Sequence, residues 1–169
     1  MKNKVLGSKQ YQTIQNSWNN IEIVDKGKRG QVLLSEKNEH AVAFKKKLKA
    51  VHELNGRVFK ECHVLFSDKG CEEQHFHHDY DPEDLMKKES EYIKPRIALL
   101  ALEKETRLNL YDKETEKIIV VTLNRGDCLV FDADALHAGS EYSKVNVRLH
   151  AYLDVQGIKR EPGKIWPLD

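Results

Sequence analysis

The chain has 169 residues, 40% hydrophobic and 33% charged, with 28 Lys and Arg against 27 Asp and Glu. That length suits one domain able to bury a real core, and the nearly cancelling charge gives no overall basic field to attract nucleic acid, although a local patch stays open. No apolar run approaches the roughly 20 residues needed to cross a bilayer, the start Met1-Lys2-Asn3-Lys4 leads into no signal-peptide core, and Cys62, Cys71 and Cys128 form no C-x-x-C pair, which argues against a disulfide framework or a zinc knuckle. A cytoplasmic protein with reduced thiols is the expectation.

The first 20 residues are polar, rich in Asn, Gln and Lys, and read as an arm or short cap. Ile21 to Val24 and Gln31 to Leu34 read as short strands around the turn-like stretch from Asp25 to Gly30. From Asn38 to Leu54 the period becomes helical, with Ala41, Phe44, Leu48, Val51 and Leu54 on one face and Gly56 as the stop. The lysine run from Lys45 to Lys49 is then the solvated side of this helix, with a phosphate or nucleic-acid patch as the alternative.

Beyond Gly56 the chain reads as predominantly β. Strands are expected over 57–66, 96–102, 107–111, 117–123, 127–131 and 145–155, with a hairpin turn at Asp112 to Glu116. One helix interrupts them: Asp81 is its N-cap, Pro82 its first residue, Glu83 and Asp84 lie in its first turn, and Pro95 ends it. Many short strands with few helices indicate a β-sandwich or barrel with a helix packed outside.

The stretch Gln74-His-Phe-His-His-Asp-Tyr-Asp81 carries the chemistry. Residues two apart on a strand share a face, so His77 and Asp79 can enter one cavity. His137, just beyond the glycine-opened strand Gly126 to Phe131, is the natural third donor. Two imidazoles and a carboxylate on one face of a metal, with the other positions open, suit non-haem Fe(II). In the final strand Asn146, Arg148, His150 and Tyr152 share a face; a guanidinium there could grip a carboxylate in a bidentate fork, unless the row faces solvent.

On His77-x-Asp79, Gly126 to Phe131, His137-Ala-Gly139 and Arg148, the chain resembles the Fe(II)/2-oxoglutarate-dependent dioxygenases over about residues 60–155. The resemblance implies a mainly β protein with a double-stranded β-helix (jelly-roll) core and one or two flanking helices. It divides one domain into a cap with a helix (1–55), the core (56–155) and a tail (156–169). It also implies Fe(II) on His77, Asp79 and His137, with O2 and 2-oxoglutarate as co-substrates, and hydroxylation or oxidative demethylation with release of succinate and CO2. Arg148 would anchor 2-oxoglutarate, with Tyr152, Asn109 and His150 as candidates for its second polar partner. His150 stands where many members of the family carry Ser.

Two other readings fit some of the same residues. A cupin-type metal-binding enzyme would use His75, His77 and His137 with a nearby acid, and a metal-free jelly-roll module would use none of them. His75 and His78 are expected in a supporting or solvent-facing role, and His40, His52 and His63 at the surface. Asp132 and Asp134 suit a turn or a substrate contact. The segment up to Asn55 and the helix after Asp81 are the expected pocket walls. A small molecule or an amino-acid side chain suits the balanced charge better than a nucleobase, and no Gly-rich phosphate loop, G-x-S-x-G or H-E-x-x-H is present.

Overall fold

The computed structural model describes residues 27–51, 54–87, 93–158 and 160–167. The expected polar arm, the strand at Ile21 to Val24 and His52 lie outside them. Ten strands are described: β1 (Arg29–Leu33), β2 (Val58–Ser67), β3 (His77–His78), β4 (Arg96–Ala101), β5 (Thr106–Asp112), β6 (Lys117–Leu123), β7 (Cys128–Asp132), β8 (His137–Gly139), β9 (Asn146–Asp154) and β10 (Trp166–Pro167). Two helices accompany them, α1 (Glu39–Val51) and α2 (Pro82–Lys87). None of the helices among the described residues is long and apolar enough to cross a membrane.

The strands form two five-stranded antiparallel sheets, ordered β1-β2-β9-β4-β7 and β10-β3-β8-β5-β6. This is a jelly roll with flanking helices. Its layering follows from the alternation of side chains along each strand. On β9, Val147, Leu149, Ala151 and Leu153 face outward and pack with Val64, Ala98 and Leu100 against Ala41, Phe44 and Leu48 of α1. Full burial of a side chain such as Leu48 contributes about 1.5–3 kcal/mol. The helix starts where Asn38 Oδ1 accepts the His40 N–H at 2.9 Å, an N-cap. Its lysines are exposed, and Lys47 Nζ reaches the Gly126 carbonyl at 3.1 Å. Gly56, at φ +82°, turns the chain toward β2 in a conformation that a side chain would strain.

The other faces of the sheets enclose a second core of Tyr80, Leu85, Ile97, Leu99, Leu108, Phe131 and Tyr152. Arg148, His150 and Tyr152 are buried on this inner side, so the polar row of β9 lines the interior and does not face solvent. Two features depart from expectation, one through burial and one through strand pairing. His63 is 9% exposed and meets the Tyr152 ring edge-on at 5.9 Å, so it is an interior residue of β2 and not a surface one. The paired strand at residues 77–78 stops at His78, and Asp79 sits in the bend after it. The short partners β8 and β10 have too few residues to show an alternating pattern.

Candidate active site

Backbone pairing assembles the site. His77 and His137 are direct partners across β3 and β8, which brings together two residues from distant parts of the chain. The bend after β3 then turns the Asp79 carboxylate toward both rings. Asp79 Oδ1 lies 3.6 Å from His77 Nε2 and 3.7 Å from His137 Nε2, and one donor atom from each residue falls within 4.8 Å of the others. All three residues are buried.

The histidines are oriented by their other nitrogens. His77 Nδ1 lies 2.8 Å from the His75 carbonyl, and His137 Nδ1 lies 3.0 Å from the Ala135 carbonyl. A carbonyl only accepts, so each Nδ1 carries the proton and each Nε2 turns a lone pair toward Asp79. Burial, with His137 beside it, lowers the His77 pKa and keeps that ring neutral. Burial pushes the Asp79 carboxyl up, but His137, His150, His77 and the Tyr152 hydroxyl outweigh it and hold the carboxyl below its ordinary range. Two imidazole nitrogens and one carboxylate converging on a point are a fitting donor set for a divalent ion such as Fe(II).

The cluster opens into a cavity of about 460 Å³ lined by residues of both sheets and of the C-terminal segment. Arg148 enters it from β9. The residue is 5% exposed; its Nη1 donates to Ser67 Oγ at 3.1 Å and more weakly toward Asn146 Oδ1 at 3.5 Å. Among the described residues no carboxylate pairs with Arg148, an expensive arrangement for a buried charge. Arg29 of β1 shares Ser67, donating to its Oγ at 3.0 Å and to the Ser140 carbonyl at 2.7 Å, which ties β1 to the end of β8.

His150 lies between Arg148 and Tyr152 on the inward row, its Nε2 3.6 Å from Asp79 Oδ2. Burial lowers its pKa to about 3, so it is neutral at ordinary pH. Tyr152 directs its hydroxyl to Asp79 Oδ2 at 3.2 Å. Asn109 is not among the cavity-lining residues; its amide donates to Glu73 Oε2 and its carbonyl oxygen accepts from Ser140 Oγ, both at 2.6 Å. His75 is exposed and contributes its backbone carbonyl, while His78 is buried outside the metal-ligand cluster. Asp132 and Asp134 pair with Arg96 and Lys94, which gives them a structural role at the rim of β4 and β7.

One pocket wall departs from expectation. The N-terminal side contributes Arg29, Gly30 and Gln31, but α2 packs into the core through Leu85 and does not line the cavity. The place expected for it is taken by Arg160, Gly163, Lys164 and Ile165, held across the opening where Trp166 and Pro167 pair with His78 and His77. Nothing in the composition of this tail marks it as a wall; only the pairing of β10 reveals it.

No protein-family model matches the chain, and no curated protein sequence matches it. Solved structures do. A prolyl-4-hydroxylase of Pseudomonas putida superposes with a TM-score of 0.63 at 14% identity, covering 88% of this chain and 82% of its own. HygX of Streptomyces hygroscopicus, solved with nickel and 2-oxoglutarate bound, gives 0.60 at 12% identity over 91% and 81%. An oxalate decarboxylase of B. subtilis gives 0.51 at 9% identity and covers 89% of this chain but only 31% of its own. Identities this low speak to architecture alone, and by that measure the chain has the double-stranded β-helix (jelly-roll) fold that these structures share.

Proposed function

We propose that this chain is an Fe(II)- and 2-oxoglutarate-dependent dioxygenase that hydroxylates, or oxidatively demethylates, a small molecule or an exposed side chain. The observation that carries the reading is Arg148. A fully interior guanidinium with no carboxylate partner among the described residues, on the same inward row as the groups around Asp79, calls for an anionic ligand beside the metal cluster. A dicarboxylate that also offers a 2-oxo acid to the metal meets both demands.

In this account His77 Nε2, His137 Nε2 and Asp79 Oδ1 hold the metal, and the carbonyls of His75 and Ala135 fix the two rings. When bound, Fe(II) supplies the redox chemistry by which O2 is split between the two substrates. One oxygen atom enters the substrate and the other enters succinate, with CO2 leaving from 2-oxoglutarate. Arg148 grips the distal carboxylate, with Ser67 and Asn146 steadying its Nη1. The tail from Arg160 to Ile165 and the inner face of β1 form the remaining walls and limit water access.

The test is a turnover assay. Protein loaded with Fe(II) without oxygen, then given 2-oxoglutarate, O2 and a panel of small molecules and peptides, should release succinate above the no-enzyme rate. Release that is independent of the protein, or unaffected by Asp79→Ala, would defeat the proposal.

A further inference from the structure

The two oxygens of Asp79 face different neighbours. Oδ1 points to the metal-binding nitrogens of His77 and His137. Oδ2 points away from them, accepts the Tyr152 hydroxyl proton at 3.2 Å and has His150 Nε2 at 3.6 Å. At 3.6 Å His150 is too far to hydrogen-bond Oδ2; the hydrogen bond is the work of Tyr152.

Tyr152 is built to hold this position. The Arg160 guanidinium lies over its ring at 3.6 Å from the centroid, and Arg160 is itself tied to Glu61. His150, His63 and Tyr80 stand edge-on to the same ring at 4.8, 5.9 and 6.0 Å. The ring therefore has little freedom to turn its hydroxyl elsewhere.

We infer that Tyr152 is a positioning residue that keeps Asp79 a one-oxygen ligand, reserving the neighbouring metal position for the co-substrate. The inference rests on the metal and 2-oxoglutarate reading given above. A carboxylate can bind a cation through one oxygen or both. If Oδ2 swung onto the metal, it would occupy one of the positions a chelating 2-oxo acid needs. A hydrogen bond to Oδ2 inside a low-dielectric site opposes that swing more strongly than the same bond would at the surface.

Mn(II) bound to the whole chain, with no turnover needed, provides the test. A six-coordinate ion held by three protein atoms keeps three water positions, and line broadening by 17O-labelled water counts them. Wild type should show three waters, and Tyr152→Phe should lose one. The variant should bind Mn(II) as tightly as wild type or more so, while 2-oxoglutarate binding to the Mn(II) form weakens by about tenfold or more. A purely structural role would lower metal affinity, 2-oxoglutarate affinity and the thermal midpoint together, and that pattern overturns the inference. So does a variant that keeps three waters and wild-type 2-oxoglutarate affinity. Should Tyr152→Phe not fold, the wild-type count decides, with two waters as the contradicting result. A wild type that takes up Mn(II) but never 2-oxoglutarate defeats the functional reading instead.

Discussion

His77 and His137 are paired across the β3–β8 ladder, and their rings stand 4.7 Å apart, tilted by 53°. The backbone hydrogen bonds of the two strands thus set the spacing of the two imidazoles, ready for the metal proposed above. Divalent metal should therefore bind a prepared site and stabilise the fold. At a concentration 100 times its dissociation constant the gain is about 2.7 kcal/mol. Thermal unfolding with and without Mn(II) measures it. His137→Ala should abolish the metal-dependent shift. Because the ring also packs against Phe131 and meets the Ala135 carbonyl, the metal-free midpoint falls as well, and the shift is read against the variant's own metal-free baseline. A metal shift that survives in that variant would place the ion elsewhere.

Phe131 closes the apolar side of this site. It is 8% exposed, lies in the inner core and meets the His137 ring edge-on at 5.2 Å. Phe131→Ala should cost about 3–5 kcal/mol through lost burial and the cavity left behind. Urea unfolding reads that value, and a cost near zero would mean that the inner core repacks freely around His137.

Stability should decline on the acid side in the metal-free protein. Burial lowers the pKa of His150 from 6.5 to about 3, and it lowers those of His63 and His77. The unfolded chain regains ordinary imidazoles, so it binds more protons than the native one through this window. Native stability is therefore complete above about pH 6.5 and falls as the pH drops toward 3. His150→Gln should flatten part of that slope in chelator-treated protein. An identical slope in the variant would show that His150 is already exposed to protons in the native state.

Much of this arrangement is legible in the amino-acid sequence, and the reasons are local. The long strands β2, β4, β5, β6, β7 and β9 announce themselves by apolar runs bounded by turn residues, and α1 by Ala41, Phe44 and Leu48 at helical spacing. His77-x-Asp79 alone is common by chance; it stands out only because a distant histidine, His137, follows a glycine-opened strand. Strands of two or three residues are too short to carry a period, so β3, β8 and β10 exist only through their partners. For the same reason the Arg160 to Ile165 wall is invisible beforehand, and so is the burial of His63, which depends on which face of β2 turns inward. Ser67 carries no motif; its part in holding Arg148 follows from three strands meeting at one hydroxyl, which Arg29 also donates to.

Asp79→Ala should separate chemistry from folding. The carboxylate supplies the negative charge of the donor set, so its loss should weaken metal binding by at least tenfold and remove metal-dependent turnover. The Tyr152 hydrogen bond is lost with it, so the thermal midpoint of the metal-free protein should fall modestly while the fold is kept. Circular dichroism and metal titration on one preparation settle both halves. A variant that unfolds outright would make Asp79 a structural residue first.

The central claim concerns an anion held between Arg148 and the metal cluster, and calorimetric titration of 2-oxoglutarate measures it directly. With Mn(II) present, wild type should bind one equivalent, and without metal it should bind far more weakly. Arg148→Lys keeps a positive charge but loses the planar fork, so it should weaken that binding by about tenfold or more, some 1.4 kcal/mol, while Mn(II) affinity stays unchanged. If wild type binds no 2-oxoglutarate with Mn(II) present, the dioxygenase reading is wrong. If it binds and Arg148→Lys is indifferent, the buried guanidinium has another purpose.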